Sequence, residues 1–261
     1  MSDFLIKSLF LLTFILSPVT VVADSAGPDF EREDRIVEQI APDIFDGEAV
    51  FLTADDREFL AIHIEVDDAK GAIILLHGRD VNAEEQELIG PLRVGLAEQG
   101  WTTLSLQMPV LAKGKTYYDY LPILPYAHPR IEAAIDFLKT AGESKVIVAA
   151  HSCGAHMANH WLGENGDASI DGYIAMGLGA TDAGQDLQTP FPIGDMTVPV
   201  LDLYGSEEFP RPMEMRGHRQ QLLAQNGNPL SAQIELEGAD HYFKGKGEEA
   251  MEIITNWLNQ L

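Results

Sequence analysis

Cysteine is almost missing from this chain. Cys153 stands alone among 261 residues, so no disulfide can join two parts of the chain and the fold must be held by its core. Basic residues are also scarce: 17 Lys and Arg face 41 Asp and Glu, a net charge of −24. Such an acidic surface repels phosphate backbones and anionic headgroups, which argues against nucleic-acid and peripheral-membrane roles. Internal repeats and low-complexity tracts are absent, which excludes solenoids and leaves one large globular domain. Long apolar runs are confined to the N-terminus, where Lys7 precedes Leu9-Phe10-Leu11-Leu12-Thr13-Phe14-Ile15-Leu16, then Pro18 and Val21-Val22-Ala23. Residues 1–23 read as a bacterial secretory signal cut after Ala23, with an uncleaved anchor as the competing reading. The run is too short to span a bilayer comfortably, and no cysteine follows the cut site to take a lipid. The mature chain is therefore expected in the periplasm or medium, with no membrane span of its own.

What is present is an alternation of strand and helix patterns. Residues 24–46 read as a polar, flexible lead, and residues 47–261 as the domain. Residues 49–53 and 58–66 predict a hairpin turning at Ala54-Asp55-Asp56, an antiparallel start to the sheet. Residues 72–76 are continuously apolar, as expected of a strand buried on both faces. Further strands are expected at 101–106, 146–150, 174–178, 200–204 and 232–236. Helices are expected at 84–99 (interrupted near Gly90-Pro91), 129–140, 213–225 and 248–258, with another beginning near residue 153. This order predicts an α/β fold, a mostly parallel central sheet with helices on both faces, and chemistry at the carboxyl ends of the strands. The stretch 181–199 is a candidate cap or lid.

One strand end carries a reactive pattern. Val148-Ala149-Ala150-His151-Ser152-Cys153-Gly154-Ala155 reads as a buried strand, a tight turn with serine at its apex, and a helix, the layout of a nucleophile elbow. Gly154 lets the helix pass close to the strand, whereas Ala150 occupies a position where glycine is usual. The alternative is that Ser152 only caps the helix. A hydroxyl needs a base, and an imidazole needs a carboxylate to hold its tautomer. Downstream, Glu207 and Glu208 follow Tyr204-Gly205, and His241 follows the last predicted strand, so the order serine, acid, histidine is met. Upstream, His77-Gly78-Arg79 ends a buried strand, where the Arg79 N–H can join that of Cys153 in an oxyanion hole.

Through His77-Gly78, Ala150-His151-Ser152-Cys153-Gly154, Tyr204-Gly205-Ser206-Glu207-Glu208 and Ala239-Asp240-His241, residues 47–261 resemble the alpha/beta-hydrolase superfamily. The segment Gly100-Trp101-Thr102-Thr103-Leu104-Ser105-Leu106-Gln107-Met108-Pro109 carries a weaker resemblance to a bacterial group of exported alpha/beta-hydrolase-like proteins without assigned substrate. The superfamily resemblance implies Ser152 as nucleophile, His241 as base and then acid, and a carboxylate as orienter. The usual acid position corresponds to Glu208, with Glu207 as alternative and Asp182 as a remote third. The expected activity is hydrolysis of a carboxylic ester, or a thioester or amide, through a covalent acyl-enzyme with a small-molecule or acyl substrate. A non-catalytic binding or envelope-interaction protein on the same scaffold is the rival reading, and acyl transfer a third.

Other residues have plainer readings. His156 and His160 share a helix face near His151, yet no carboxylate accompanies them in a ligand pattern, so neither a metal nor a cofactor is expected. Arg211, Arg216 and Arg219 read as a solvated helix face or an anion-steering cluster, and Tyr117, Tyr118 and Tyr120 as pocket lining or packing. Asp240 reads as loop or surface. Nothing in the sequence sets an oligomeric state.

Overall fold

The computed structural model describes residues 27–261. The expected signal segment, residues 1–23, lies outside the described residues. The hairpin is formed by β1 (Glu48–Ala54) and β2 (Arg57–Ile64), turning at Asp55 with φ of 52°. β2 then pairs antiparallel with β4 (Thr102–Leu106), and pairing is parallel from there through β3 (Ala72–Leu76), β5 (Val146–His151), β6 (Gly172–Met176), β7 (Val200–Glu207) and β8 (Ala232–Asp240). The sheet order is β1-β2-β4-β3-β5-β6-β7-β8. This is the expected α/β architecture with its antiparallel start.

The two faces follow from strand alternation. In β3, Ile73 and Leu75 join Trp101 and Trp257 in the layer covered by α2 (Ile89–Glu98) and α7 (Gly247–Leu258). Ala72, Ile74 and Leu76 point the other way, to the layer of α4 (His128–Ala141) and α5 (Cys153–Asn165). β5 divides likewise, with Ile147 and Ala149 on one side and Val148 and Ala150 on the other. Each such Ile or Leu is fully buried and contributes roughly 1.5–3 kcal/mol, so two-sided burial, without any disulfide, holds the central strands. Two further helices are α3 (Tyr117–Tyr120) and α6 (Pro210–Asn226).

Three expectations change. The lead at 24–46 carries a helix where it is described: α1 (Phe30–Ile40) is capped by Asp29, whose side chain accepts the Arg32 N–H at 2.9 Å. Glu33 is buried against Arg130 at 2.8 Å, and Arg130 also donates to the Gln107 carbonyl at 2.7 Å, so a buried ion pair anchors the segment. Burial pushes the Glu33 carboxyl up even with that arginine beside it. Secondly, residues 84–88 are turn, and helix α2 starts at Ile89 because the Glu85 carboxylate accepts the N–H groups of Glu87, Leu88 and Ile89, a side-chain cap for the orphan donors. Thirdly, β6 runs two residues earlier than expected and stops at Gly177, whose φ of 59° breaks the strand.

Candidate active site

Four strand ends meet at one edge of the sheet. β5 ends in Ser152, whose φ of 54° and ψ of −116° place a non-glycine residue in a conformation that side chains rarely adopt. The turn is locked by the Ser152 N–H donating to the Met176 carbonyl at 2.9 Å. Ser152 makes no side-chain cap to α5, so its hydroxyl is not spent on the helix. Gly154 is required: a Cβ there would lie 2.6 Å from the carbonyl oxygens of both Leu76 and His77. Ala150 is buried in the α4 and α5 layer, and its methyl is accommodated beside Leu76 and Ala175.

The Ser152 hydroxyl donates to His241 Nε2 at 2.8 Å, and His241 Nδ1–H donates to Glu208 Oε1 at 2.6 Å. Each partner is placed by local structure. β7 and β8 slip register between Gly205 and Glu207, a bulge that turns the chain so that Glu208 faces inward and Glu207 outward. The longer side chain therefore reaches the histidine from the turn, and Glu208 Oε1 also accepts the Phe209 N–H at 2.7 Å. Glu207 is exposed and pairs across the sheet with Asp240. Asp240 caps the turn that presents His241: its Oδ1 accepts the N–H groups of Tyr242 and Lys244 at 3.0 and 3.1 Å. The Phe209 ring stacks on His241 at 4.3 Å, and a Cβ on Gly177 would come 3.0 Å from the imidazole, tighter than ordinary contact.

Two further histidines hold this arrangement from behind. His151 is buried, and its Nε2–H donates to the His241 carbonyl at 2.8 Å; burial and the neighbouring His241 push its pKa down to about 3, so it stays neutral. His77 is neutral for the same reason, pushed down by burial to about 4. Its Nδ1–H donates to the Gly78 carbonyl at 2.7 Å while Nε2 accepts the Met108 N–H at 3.0 Å, which pins the loop carrying Arg79. The backbone N–H groups of Arg79 and Cys153 have no acceptor among the described residues. Both residues line the cavity with Ser152, and Cys153 opens α5, where the helix dipole favours negative charge. The Cys153 thiol is pushed up to about 12 by burial, which leaves it inert.

A cavity of about 130 Å³ opens on Ser152 between Gly78, Arg79, Tyr117, His156, Phe209 and Tyr242. Its rim is latched by the Arg79 guanidinium, bidentate to Asp182 at 2.6 and 3.0 Å, while Asp182 also accepts the Tyr117 N–H at 2.6 Å. Asp182 is thus committed to the rim and makes no bond to His241. Of the three tyrosines, Tyr117 lines the cavity and binds Thr189 at 3.1 Å; Tyr120 packs in the core, and Tyr118 accepts the Asp186 N–H. Arg219 is not part of a solvated face: it is fully buried, paired with Asp202 at 2.7 Å, and donates to the carbonyls of Leu178 and Pro212. Arg211 stays at the surface, paired with Asp186 and Glu214. Of the α5 histidines, His156 lines the cavity and is tied to Thr189 and the Ala180 carbonyl, while His160 turns outward to His128. Sequence reading missed the stacking of Phe209, the support from His151 and the Arg79–Asp182 latch. Each depends on partners from 30 to more than 100 residues away.

Comparison with known proteins agrees with this architecture. The sequence matches the family described as protein of unknown function (DUF3530) over residues 17–119 and 126–260. No curated protein matches it. Among solved structures, it is similar to Est1E from Butyrivibrio proteoclasticus with ferulic acid bound, at 18% identity and a TM-score of 0.64, covering 81% of this chain and 98% of that one. It is also similar to a dienelactone hydrolase from Anabaena variabilis, at 14% identity and a TM-score of 0.63, covering 81% and 96%. An alpha-beta serine hydrolase homologue from Coxiella burnetii aligns at 16% identity and a TM-score of 0.61, covering 82% and 98%. At these identities the likeness establishes the fold, which is that of the alpha/beta hydrolases.

Proposed function

This chain belongs to the DUF3530 family of proteins of unknown function, and from that premise and the geometry of its sheet edge we propose that it is a serine hydrolase acting on a carboxylic ester. The observation that carries the proposal is the continuous relay from Ser152 Oγ through His241 to Glu208, at 2.8 and 2.6 Å, next to two free backbone N–H groups. Ser152 Oγ attacks the ester carbonyl carbon as its proton passes to His241 Nε2. The resulting imidazolium is held by Glu208, and the oxyanion is held by the N–H groups of Arg79 and Cys153. His241 then protonates the leaving alkoxide as the C–O bond breaks, leaving an acyl group on Ser152. Water, deprotonated by the same imidazole, attacks that acyl group; the acyl C–Oγ bond then breaks as the imidazolium returns the proton to Ser152 Oγ, and the acid leaves. All the groups required come from the chain itself, so the reaction as written calls on no cofactor. The narrow cavity beside Ser152 suits a short acyl group, with the leaving group towards the exposed rings of Phe209 and Tyr242.

The test is labelling of the purified protein with a fluorophosphonate. Labelling of wild type, lost in Ser152→Ala and His241→Ala, is the expected result. A folded wild-type protein that takes no label and hydrolyses no ester would overturn the reading and favour a binding role on this scaffold.

We also propose that the chain is exported, on the strength of the Lys7, apolar and Val21-Val22-Ala23 pattern. N-terminal sequencing of protein recovered from the cell envelope or medium should begin at Asp24. Recovery only from the cytoplasm with residues 1–23 intact would refute it. No helix among the described residues is long and apolar enough to cross a membrane.

A further inference from the structure

Outside the cavity, one cluster of side chains among the described residues has the donor chemistry of a metal site. His128 is the first residue of α4, and His160 and Glu164 lie one turn apart on α5, positions four residues apart that share a helix face. His128 Nε2 and His160 Nδ1 are 2.8 Å apart, with ring centroids at 4.9 Å. The Glu164 carboxylate bridges the outer nitrogens, at 3.7 Å from His128 Nδ1 and 3.8 Å from His160 Nε2. One donor atom from each of the three residues falls within 4.8 Å of the other two. The two imidazoles are mostly buried and Glu164 is exposed, so the nitrogens are pre-oriented while the carboxylate can swing.

We propose that His128, His160 and Glu164 bind one divalent transition-metal ion of the zinc, nickel or copper class, tying the start of α4 to the second half of α5. Two imidazoles and one carboxylate are a borderline donor set, which selects such ions over calcium and magnesium, whose preferred ligands are oxygens. Tetrahedral bonds of 2.0–2.1 Å separate donor atoms by about 3.4 Å, so the metal would replace the 2.8 Å hydrogen bond between the two imidazoles, the rings parting slightly and Glu164 changing rotamer to meet it. Three protein ligands leave one position for water. Glu132, exposed one turn along α4 from His128, adds negative charge beside it. α4 and α5 are the helices on either side of β5 in sequence, so the ion would brace the strand that carries Ser152 without touching the cavity.

The test is calorimetric titration of the untagged protein with zinc chloride near pH 7.5, with thermal melting as a second readout. One equivalent should bind with micromolar affinity and raise the melting temperature. His160→Gln should weaken binding at least tenfold and remove the thermal shift, and Glu164→Gln, at an exposed position that leaves the fold undisturbed, should weaken it less. The exposed His218→Gln and the nucleophile variant Ser152→Ala should bind zinc as wild type does, which separates this site from the hydrolase assignment. Millimolar calcium or magnesium should not displace zinc. No binding at 100-fold excess over protein, or equal binding by wild type and the His160 and Glu164 variants, overturns the proposal.

Discussion

Glu208→Gln is the substitution that bears hardest on the proposed chemistry. The carboxylate is buried, lies 2.6 Å from His241 Nδ1, and forms no ion pair with a lysine or arginine among the described residues. Replacing it with an amide keeps the volume and removes the charge. With charge centres about 4 Å apart and an effective dielectric near 20, the ion pair in the transition state is worth about 4 kcal/mol, or about a thousandfold in rate. A further loss arises because the amide can present its NH2 group to Nδ1 and favour the tautomer that leaves Nε2 protonated, unable to accept from Ser152. The expected result is a fall in kcat for p-nitrophenyl acetate of about a thousandfold, with KM within a few-fold and the melting curve close to wild type. Glu207→Gln is the matched control, since that side chain is exposed and faces away, and its rate should stay within twofold. If Glu208→Gln keeps more than a tenth of the rate, or if Glu207→Gln falls as far, the relay does not operate as drawn.

Gly154→Ala should be destabilised by at least ~2 kcal/mol, read as a lowered urea midpoint, because a methyl 2.6 Å from two backbone carbonyls forces the elbow apart; an unchanged midpoint would show that the helix can shift freely. His151→Phe removes the donor to the His241 carbonyl and leaves a buried acceptor unpaired, so kcat should fall about tenfold with little change in KM. His151→Gln should restore most of the loss, and equal rates in all three proteins would assign His151 to packing alone. Stability should fall as pH drops below the ordinary histidine value of 6.5. His77, His151 and His156 are held at about 4, 3 and 4 by burial, so the unfolded chain takes up protons that the folded one refuses. The loss begins near pH 6.5, reaches on the order of 2 kcal/mol per group at pH 5, and is complete only below their folded values. Glu33, raised by burial, acts in the opposite sense and offsets part of it. Denaturant melts at pH 7 and 5 that coincide would contradict the buried-neutral assignment.

How far the sequence could be read depended on how local each signal was. The apolar runs of β3 and β5, the hairpin residues and the Ser152–Gly154 spacing are set by neighbours within a few residues, so strand positions, the antiparallel start and the elbow were legible. Helix α1 was not: Phe30-Glu31-Arg32-Glu33-Asp34-Arg35 looks like a solvated lead until Arg130, 97 positions away, arrives to pair with Glu33. Arg219 misled for the same reason, since its partner Asp202 is on a strand. His160 was seen among the wrong histidines, because the sequence places His156 nearer to it than His128, whereas the fold joins the start of α4 to the end of α5.

The choice between Glu207 and Glu208 shows where the boundary falls. The sequence alone determined that a carboxylate follows the seventh strand and that a histidine follows the eighth, because chain order is a linear property. It could not say which of two adjacent glutamates faces inward, since consecutive side chains on a strand point to opposite sides and a one-residue slip exchanges them. That was decided by the bulge between Gly205 and Glu207 against Asp240, a contact between two strands that exists only once the sheet has formed.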